Sequence, residues 1–580
     1  MKKTVFFSVI IILFYVLVGC NQKDDHVKKW QEDLDYMKGY LEIVHPELYA
    51  YVTEEEFDKH FDYIKDNCKT LDDVEIVTRI VEIFALIQDG HTDVAYDYLD
   101  NKYIAGLFHK YPIFLYKFSD GLYVLWAKNE YSEIVGKRLL KIGNLKADEA
   151  LKQMTRLNAG DNEMGKIQYL PVIQEFLQYT GVIDKSTMLL NLVYEDKNGN
   201  ELSFELDNPE SALESYWPPK FFGLKDSVVT TMNDNCNHPL PLYLSHIDKA
   251  DGNIGEYYWY EYIQEHETIY LNISLNINKD DDPFDAFCKR MFNDLDSLKA
   301  KKLIVDVRLN GGGSHFEMPL IKGIIERPDI DTEGNLFLII GRRTISASEH
   351  VTTQMEKYTN VTIFGEPTSG RPNMVGSNTF FYLPNSKLKC RTAKEYTQDS
   401  EFFDSRLMTK PDIYALLSSD DFKNNLDPVL SAIFVYDSTF KVINELRLLM
   451  QQAYTKNGIE GLKNAFYQNK NECDRLGVNF EKFLVYDLWK EKSIWDWVYV
   501  NMKEDVDELE LLKFIAEELP NSVFANYFYA RCLYLNDNYE EAKNYYQKCL
   551  KLNPAHSNAI KDYNLLKFHE NYEVMNYGGQ

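Results

Sequence analysis

The stretch from Arg342 to His350 reads Arg-Arg-Thr-Ile-Ser-Ala-Ser-Glu-His and is the part of this chain best suited by residue type to covalent chemistry. It follows the apolar run Leu336 to Ile340, which has the length and composition of a buried strand. Ser346 is thereby predicted on a strand-to-helix turn, its hydroxyl exposed and the next amide, that of Ala347, without a helical partner. Such an amide can stabilise an oxyanion. Upstream, a second strand at 303–307 runs into Arg308-Leu-Asn-Gly-Gly-Gly-Ser314, where consecutive glycines let the backbone approach a ligand closely. Gly312 or Gly313 is the candidate for a second oxyanion donor. The glycines lack both the GxGxxG spacing and the Gly-Lys-Ser/Thr ending of phosphate-binding loops, so nucleotide binding is a poor reading. A serine nucleophile facing backbone amides suggests a serine hydrolase.

These loops need a framework. Residues 266–435 alternate strand and helix: strand 268–275, helix 284–298, strand 303–307, helix 316–326, strand 336–340, the Ser346 helix to 358, and strand 361–364. That order predicts a mostly parallel sheet with crossover helices, whose sites gather at the carboxyl ends of strands. Ahead of it, Trp30, Leu34, Met37 and Leu41 recur at helical spacing, as do later apolar residues up to Phe84, so 28–100 is expected to be a helical domain ending at Asp89-Gly90. Residues 101–210 change to short apolar runs split by Asp-Gly turns, the pattern of a strand domain. A connecting segment, 211–265, follows. Beyond 436 the chain is helical to its end.

The length of 580 residues implies several domains, and 45% apolar with 14% aromatic residues excludes a disordered chain. A net charge of -27 argues against nucleic acid or an anionic membrane surface as a partner. Seven cysteines besides Cys20 are scattered singly, which predicts neither a disulfide framework nor a zinc cluster, and no cofactor is indicated. Lys2 and Lys3 precede an apolar stretch too short to span a bilayer, ending Leu17-Val18-Gly19-Cys20. This resembles a bacterial lipoprotein signal, which implies removal of residues 1–19, lipidation of Cys20, a tether at 20–27 and a lipid-anchored protein of the cell envelope outside the cytoplasm.

Five motifs occur in order: Asp89-Gly-His-Thr92, Val305-Asp-Val-Arg-Leu-Asn-Gly-Gly-Gly313, Thr344-Ile-Ser-Ala-Ser-Glu349, Gly365-Glu-Pro-Thr-Ser-Gly370 and Pro411-Asp-Ile413. Together they resemble the tail-specific (C-terminal-processing) and tricorn-core serine peptidases over roughly residues 30–435. The resemblance implies a multidomain α/β protein with a crotonase-like (ClpP/crotonase) peptidase core at 266–435, preceded by a PDZ-like β-rich module at 101–210, acting on a polypeptide substrate. Val135-Gly-Lys-Arg-Leu-Leu-Lys-Ile-Gly143 is the segment that looks PDZ-like. In the C-terminal region 436–580, Pro520 and Pro554, with Ala530, Ala542, Tyr546 and Cys549 between them, resemble a tetratricopeptide repeat, which implies a protein partner there.

By match, Ser346 is the nucleophile. The tail-specific branch places a lysine base where this chain has Arg371, and an arginine stays protonated. Lys357, the only lysine between Ser346 and Arg371, stands eleven residues along the helix and out of reach. The tricorn-like branch implies a histidine base, matched by His91. Two rivals follow from position alone: His350, four residues after Ser346 on one helix, and His315 after the glycine loop. The orienting acid would be Asp404, with Glu401 behind it and Ser405 where strict counting puts the acid; Asp412 would fix a turn. Glu349 and Arg371 are supporting candidates, Glu349 equally as a first-turn acid facing the helix dipole. The alternative reading is a degenerate peptidase scaffold that binds peptides or partners without cleaving them.

Overall fold

The computed structural model describes residues 24–94, 106–211, 229–246, 255–436, 456–468, 508–553 and 559–567, apart from a few single positions. Cys20, the expected leader and the start of the tether lie outside the described residues, as does much of 211–265 and of 440–507. The chain divides into two compact units, Met1–Val435 and Tyr436–Gln580. The architecture is mixed α/β, with a helical C-terminal unit.

The first unit begins with helices at 24–44, Glu54–Asn67 and Asp73–Ile87. Their apolar stripes, Leu34, Met37 and Leu41 against Phe57, Phe61, Ile80 and Phe84, close one core. Thr53 and Asp72 cap the second and third helices by accepting the amides of Glu56 and Glu75. The third helix ends otherwise than its sequence predicts. The left-handed residue is Gln88, at φ 55°, and not Gly90. A glutamine is costly there, and the Arg371 guanidinium, which donates to the Gln88 carbonyl, offsets the cost from 283 residues away.

Residues 109–211, with the strand Val229–Thr231 added beside Gly121–Lys128, build a nine-stranded sheet with the main order Pro171–Ile173, His109–Phe118, Gly121–Lys128, Arg138–Ile142, Leu190–Glu195, Glu201–Leu206, all antiparallel. Leu190, Leu192 and Tyr194 point inward at every second position and pack on Val124, Leu139 and Ile142.

The site rests on a six-stranded sheet ordered Tyr258–Ile263, Thr268–Ile273, Lys302–Asp306, Leu336–Ile340, Thr362–Gly365, Ile413–Tyr414. All neighbours are parallel except the first pair. Thr268–Ile273 and Leu336–Ile340 are buried at every position, as strands covered on both faces must be. Helices Phe284–Leu298, Met318–Ile325 and Ala347–Tyr358 return the chain between strands. Parallel pairing carries the loops after Asp306, Ile340 and Gly365 to one edge of the sheet. Asp412 does more than make a turn: its carboxylate accepts the Ile363 N–H at 2.8 Å and ties the last short strand to its neighbour.

In the second unit, helices Glu508–Glu518, Val523–Leu535 and Tyr539–Leu552 pack through buried Ala530, Ala542, Tyr546 and Cys549. Alanines at these points let the helix axes approach, and the aromatics fill the gaps. Among the described residues no helix is long and apolar enough to cross a membrane.

Candidate active site

Ser346 caps the helix Ala347–Tyr358 with φ 61° and ψ -130°. An L-residue held there stores on the order of 1–3 kcal/mol of strain, and such strain collects at functional turns. Its hydroxyl meets no hydrogen-bond partner among the described residues, and neither does the Ala347 amide. Directly against them lies the glycine loop. A Cβ on Gly312 would stand 2.6 Å from the Ser346 Cβ and 3.1 Å from the Ala347 nitrogen, so no other residue fits. Gly313, at φ 137°, is pressed equally hard on the Asn276 carbonyl.

The two expected loop donors separate here. The Gly312 N–H is already given to Asn310 Oδ1 at 2.8 Å, which removes it from the oxyanion candidates. The Gly313 N–H has no acceptor among the described residues and remains with Ala347. A buried amide network holds this arrangement: Asn310 donates to Asn276 Oδ1 at 2.6 Å, Asn276 to the Ala347 carbonyl at 3.2 Å, and Ser348 Oγ to the Asn310 carbonyl at 2.7 Å. Satisfied networks of this kind define one geometry.

His91 lies on the turn after Gln88 and is 6% exposed. Gly90, beside it, packs on Ile345, the residue before the nucleophile: a Cβ there would come within 2.8 Å of Ile345 Cδ1. The base candidate and the serine thus belong to touching turns. His91 Nδ1 stands 3.5 Å from Asp89 Oδ1, a charge contact longer than a good hydrogen bond, while the same oxygen accepts the His91 N–H at 2.8 Å. Asp89 Oδ2 takes the Thr92 hydroxyl and His45 Nε2, the latter at 3.3 Å. Because the Glu47 amide donates to His45 Nδ1, the proton of that ring is on Nε2 and points at Asp89. Burial opposes charge on His91, but Asp89, with Asp161 beyond it, outweighs burial and raises the imidazole above its ordinary pKa. Burial also opposes charge on Asp89, yet contacts with His45, His91 and Thr92 hold it well below the usual carboxylate range.

Asp89 is thus the carboxylate set against His91, while Asp404, the acid expected to orient the base, is engaged elsewhere. Its carboxylate accepts Ser400 Oγ at 2.6 Å and Arg406, whose other arm grips Glu356. Glu356 is ten residues along the helix from Ser346, a rise of about 15 Å. Glu401 is no closer in role: its carbonyl accepts the Asn373 amide. The signal for Asp89 was present in Asp-Gly-His, but nothing in the spacing shows that an aspartate two residues away folds back on its own histidine.

The remaining candidates find definite places. Glu349 is fully buried, accepts Thr409 Oγ1 at 2.6 Å, and burial pushes it up to about 8. It lies under the helix start, where burial favours its neutral form. Arg371 is buried on Tyr51 and lies 3.7 Å from Asp161, so the lysine position of the tail-specific pattern is a clamp in this chain. Lys357 donates to the Asp399 carbonyl at 3.4 Å and lies over the Tyr358 ring. His350 sets Nδ1 against Asp399, and burial, followed by His315 and His91, pushes it down to about 3. His315 lies against His350 with ring centroids 4.0 Å apart and the planes tilted by 44°. It also lines a recess of about 270 Å³ with Phe284, Phe316, Glu317 and Met318, immediately past the glycine loop. Among the described residues no group of three or more His, Cys, Asp or Glu side chains could hold a metal ion.

Residues 322–415 match the profile of peptidase family S41, and residues 523–556 match that of a tetratricopeptide repeat. The chain carries an S41 serine peptidase domain and a tetratricopeptide repeat. No curated protein matches it. Among solved structures it is similar to mature CPAF complexed with lactacystin, at 11% identity and a TM-score of 0.46, over 69% of this chain and 96% of that one. It is similar also to the photosystem II D1 C-terminal processing protease, at 12% identity and a TM-score of 0.30, over 70% and 96%. The tricorn protease follows at 12% and 0.26, over 67% of this chain and 35% of that one.

Proposed function

We propose that this chain hydrolyses peptide bonds through an acyl-enzyme on Ser346, with His91 as general base and Asp89 as the carboxylate that orients it. The observation that carries the reading is Ser346 itself, a non-glycine residue at positive φ, with an unpaired Ala347 amide beside it and Gly312 pressed against its Cβ. As the serine hydroxyl gives its proton to His91 Nε2, Oγ bonds to the scissile carbonyl carbon. The carbonyl oxygen gains the negative charge and takes the Ala347 and Gly313 N–H groups. His91 then passes the proton to the leaving amine nitrogen, the C–N bond breaks, and a water molecule repeats the sequence to release the acid and restore Ser346.

The motif order supports a peptidase of the tail-specific and tricorn type, with the histidine branch favoured by Arg371. A crotonase-like core at 266–435 and a PDZ-like module at 101–210 belong to this proposal, as do the helical domain 28–100 and the repeat region 436–580. In it the PDZ-like module receives a peptide by strand addition and the repeat region docks a protein partner. The leader sequence supports lipidation of Cys20 and a place on the cell envelope. The degenerate-scaffold alternative is not favoured, because a binding scaffold has no need of a strained serine.

Labelling with a fluorophosphonate probe tests the reading. The purified chain becomes covalently labelled and Ser346→Ala does not. A folded parent that takes no label, at any pH between 6 and 9, overturns the proposal.

A further inference from the structure

We infer that Asp161, contributed by the β-rich part of the chain, is a positioning residue for the base. Its carboxylate holds the His91 turn in place and supplies a second negative charge that keeps the imidazole able to accept a proton. This deepens the peptidase reading and rests on it.

The backbone of the His91 turn is pinned at four polar groups. The Gln88 carbonyl accepts Arg371, and the Gly90 N–H donates to Asp161 Oδ1 at 2.7 Å. The Gly90 carbonyl accepts Arg391 at 3.2 Å, and the His91 N–H donates to Asp89. Three of these four anchors come from outside the turn, and Asp161 alone among those three carries negative charge. It is 2% exposed, and Arg371, its partner at 3.7 Å, is 4% exposed. Burial raises the Asp161 carboxyl above its ordinary pKa and Asp89 adds to this, while Arg371, His91 and the Gly90 N–H favour its charged form; a buried carboxylate so placed acts on its neighbours with little solvent screening.

The segment carrying Asp161 is fastened independently of its charge. Asn162 donates to the Thr368 and Leu407 carbonyls, at 3.2 and 2.6 Å, and accepts the amides of Met164 and Gly165. Loss of the Asp161 charge therefore leaves the segment seated. The charged and titratable groups facing His91 are Asp89 and Asp93 near it in sequence, Asp161 from the β-rich part, Arg391 from the adjoining hairpin, and His350 from the nucleophile helix. Arg371 and His45 bear on the two carboxylates from behind. Asp161→Asn keeps an oxygen for the Gly90 amide and removes only the charge.

The test is the rate of fluorophosphonate labelling of the full chain as a function of pH, with thermal melting alongside. The expected result for Asp161→Asn is an acid limb moved down by about 0.5–1 pH unit together with a lower melting temperature, because buried Arg371 loses its counter-charge, while Asn162→Ala melts lower with its acid limb in place. An Asp161→Asn profile that superimposes on the parent overturns the inference. Should Asp161→Asn fail to fold, Asp161→Ser is read instead: its hydroxyl can accept the Gly90 N–H without carrying charge, the acid limb falls as in Asp161→Asn, and a limb that stays or rises overturns the inference. A parent that never labels removes the peptidase reading and this inference with it, which is distinct from a labelled parent whose Asp161→Asn variant is unmoved.

Discussion

Gly312 and Ser346 touch so closely that a Cβ on the glycine would lie 2.6 Å from the Cβ of the serine. Two segments 34 residues apart in the chain meet there with no room for a methyl group. The same glycine spends its amide on Asn310, so its role here is spatial, and in the proposed mechanism Gly313 supplies the loop N–H.

Gly312→Ala is expected to displace the glycine loop from Ser346 and the Ala347 amide together. Labelling should fall on the order of 10²-fold, because preorganised donors lose their effect when moved by an ångström or less. Comparison of labelling rates for folded parent and variant checks this.

The strain at Ser346 predicts an asymmetry between two inactive variants. At φ 61° a glycine is at ease and an alanine is not. Ser346→Gly should therefore be more stable than Ser346→Ala by about 1 kcal/mol in denaturant unfolding.

Asp89 and Asp404 make opposite predictions. Asp89→Asn leaves His91 without its nearest charge, so labelling should drop by about 10²–10⁴-fold and its acid limb move to lower pH. Asp404→Asn breaks the tie to Ser400 and Arg406, which should cost about 1–3 kcal/mol of stability and leave the labelling rate per folded molecule unchanged.

Glu349 predicts a pH dependence of stability. Its folded pKa, about 8, lies above its unfolded value, so between about 4.5 and 8 the folded state holds the extra proton. This contribution is fully present below pH 4.5 and is lost as pH rises through 8, with a slope of at most ~1.4 kcal/mol per unit. Urea unfolding of Glu349→Gln across this range should show a flatter profile than the parent.

Much of this was legible in one dimension. The runs at 268–273, 302–306 and 336–340 are apolar and short, so their strands, and the loops at their carboxyl ends, follow from periodicity and chain order. Ser346 at the end of a strand and start of a helix was legible for the same reason, since local sterics make that turn. The third helix was legible up to its last residue, where Gln88 takes the left-handed cap because Arg371 reaches its carbonyl. The C-terminal helices, with Ala530 and Ala542 at their crossings, follow from a local repeat.

The sequence by itself therefore determined the elements, their order and the place of Ser346 on its strand-to-helix turn, because periodicity, caps and turns act over a few residues. The tertiary structure alone decided what stands around that serine. It placed Asp89 on His91, sent Asp404 to Arg406, turned Gly312 inward and brought Asp161 to Gly90. Three of these contacts join residues two positions apart and one joins residues 71 apart, yet each depends on how loops fold back and close over the sheet, and no spacing along the chain encodes that closure.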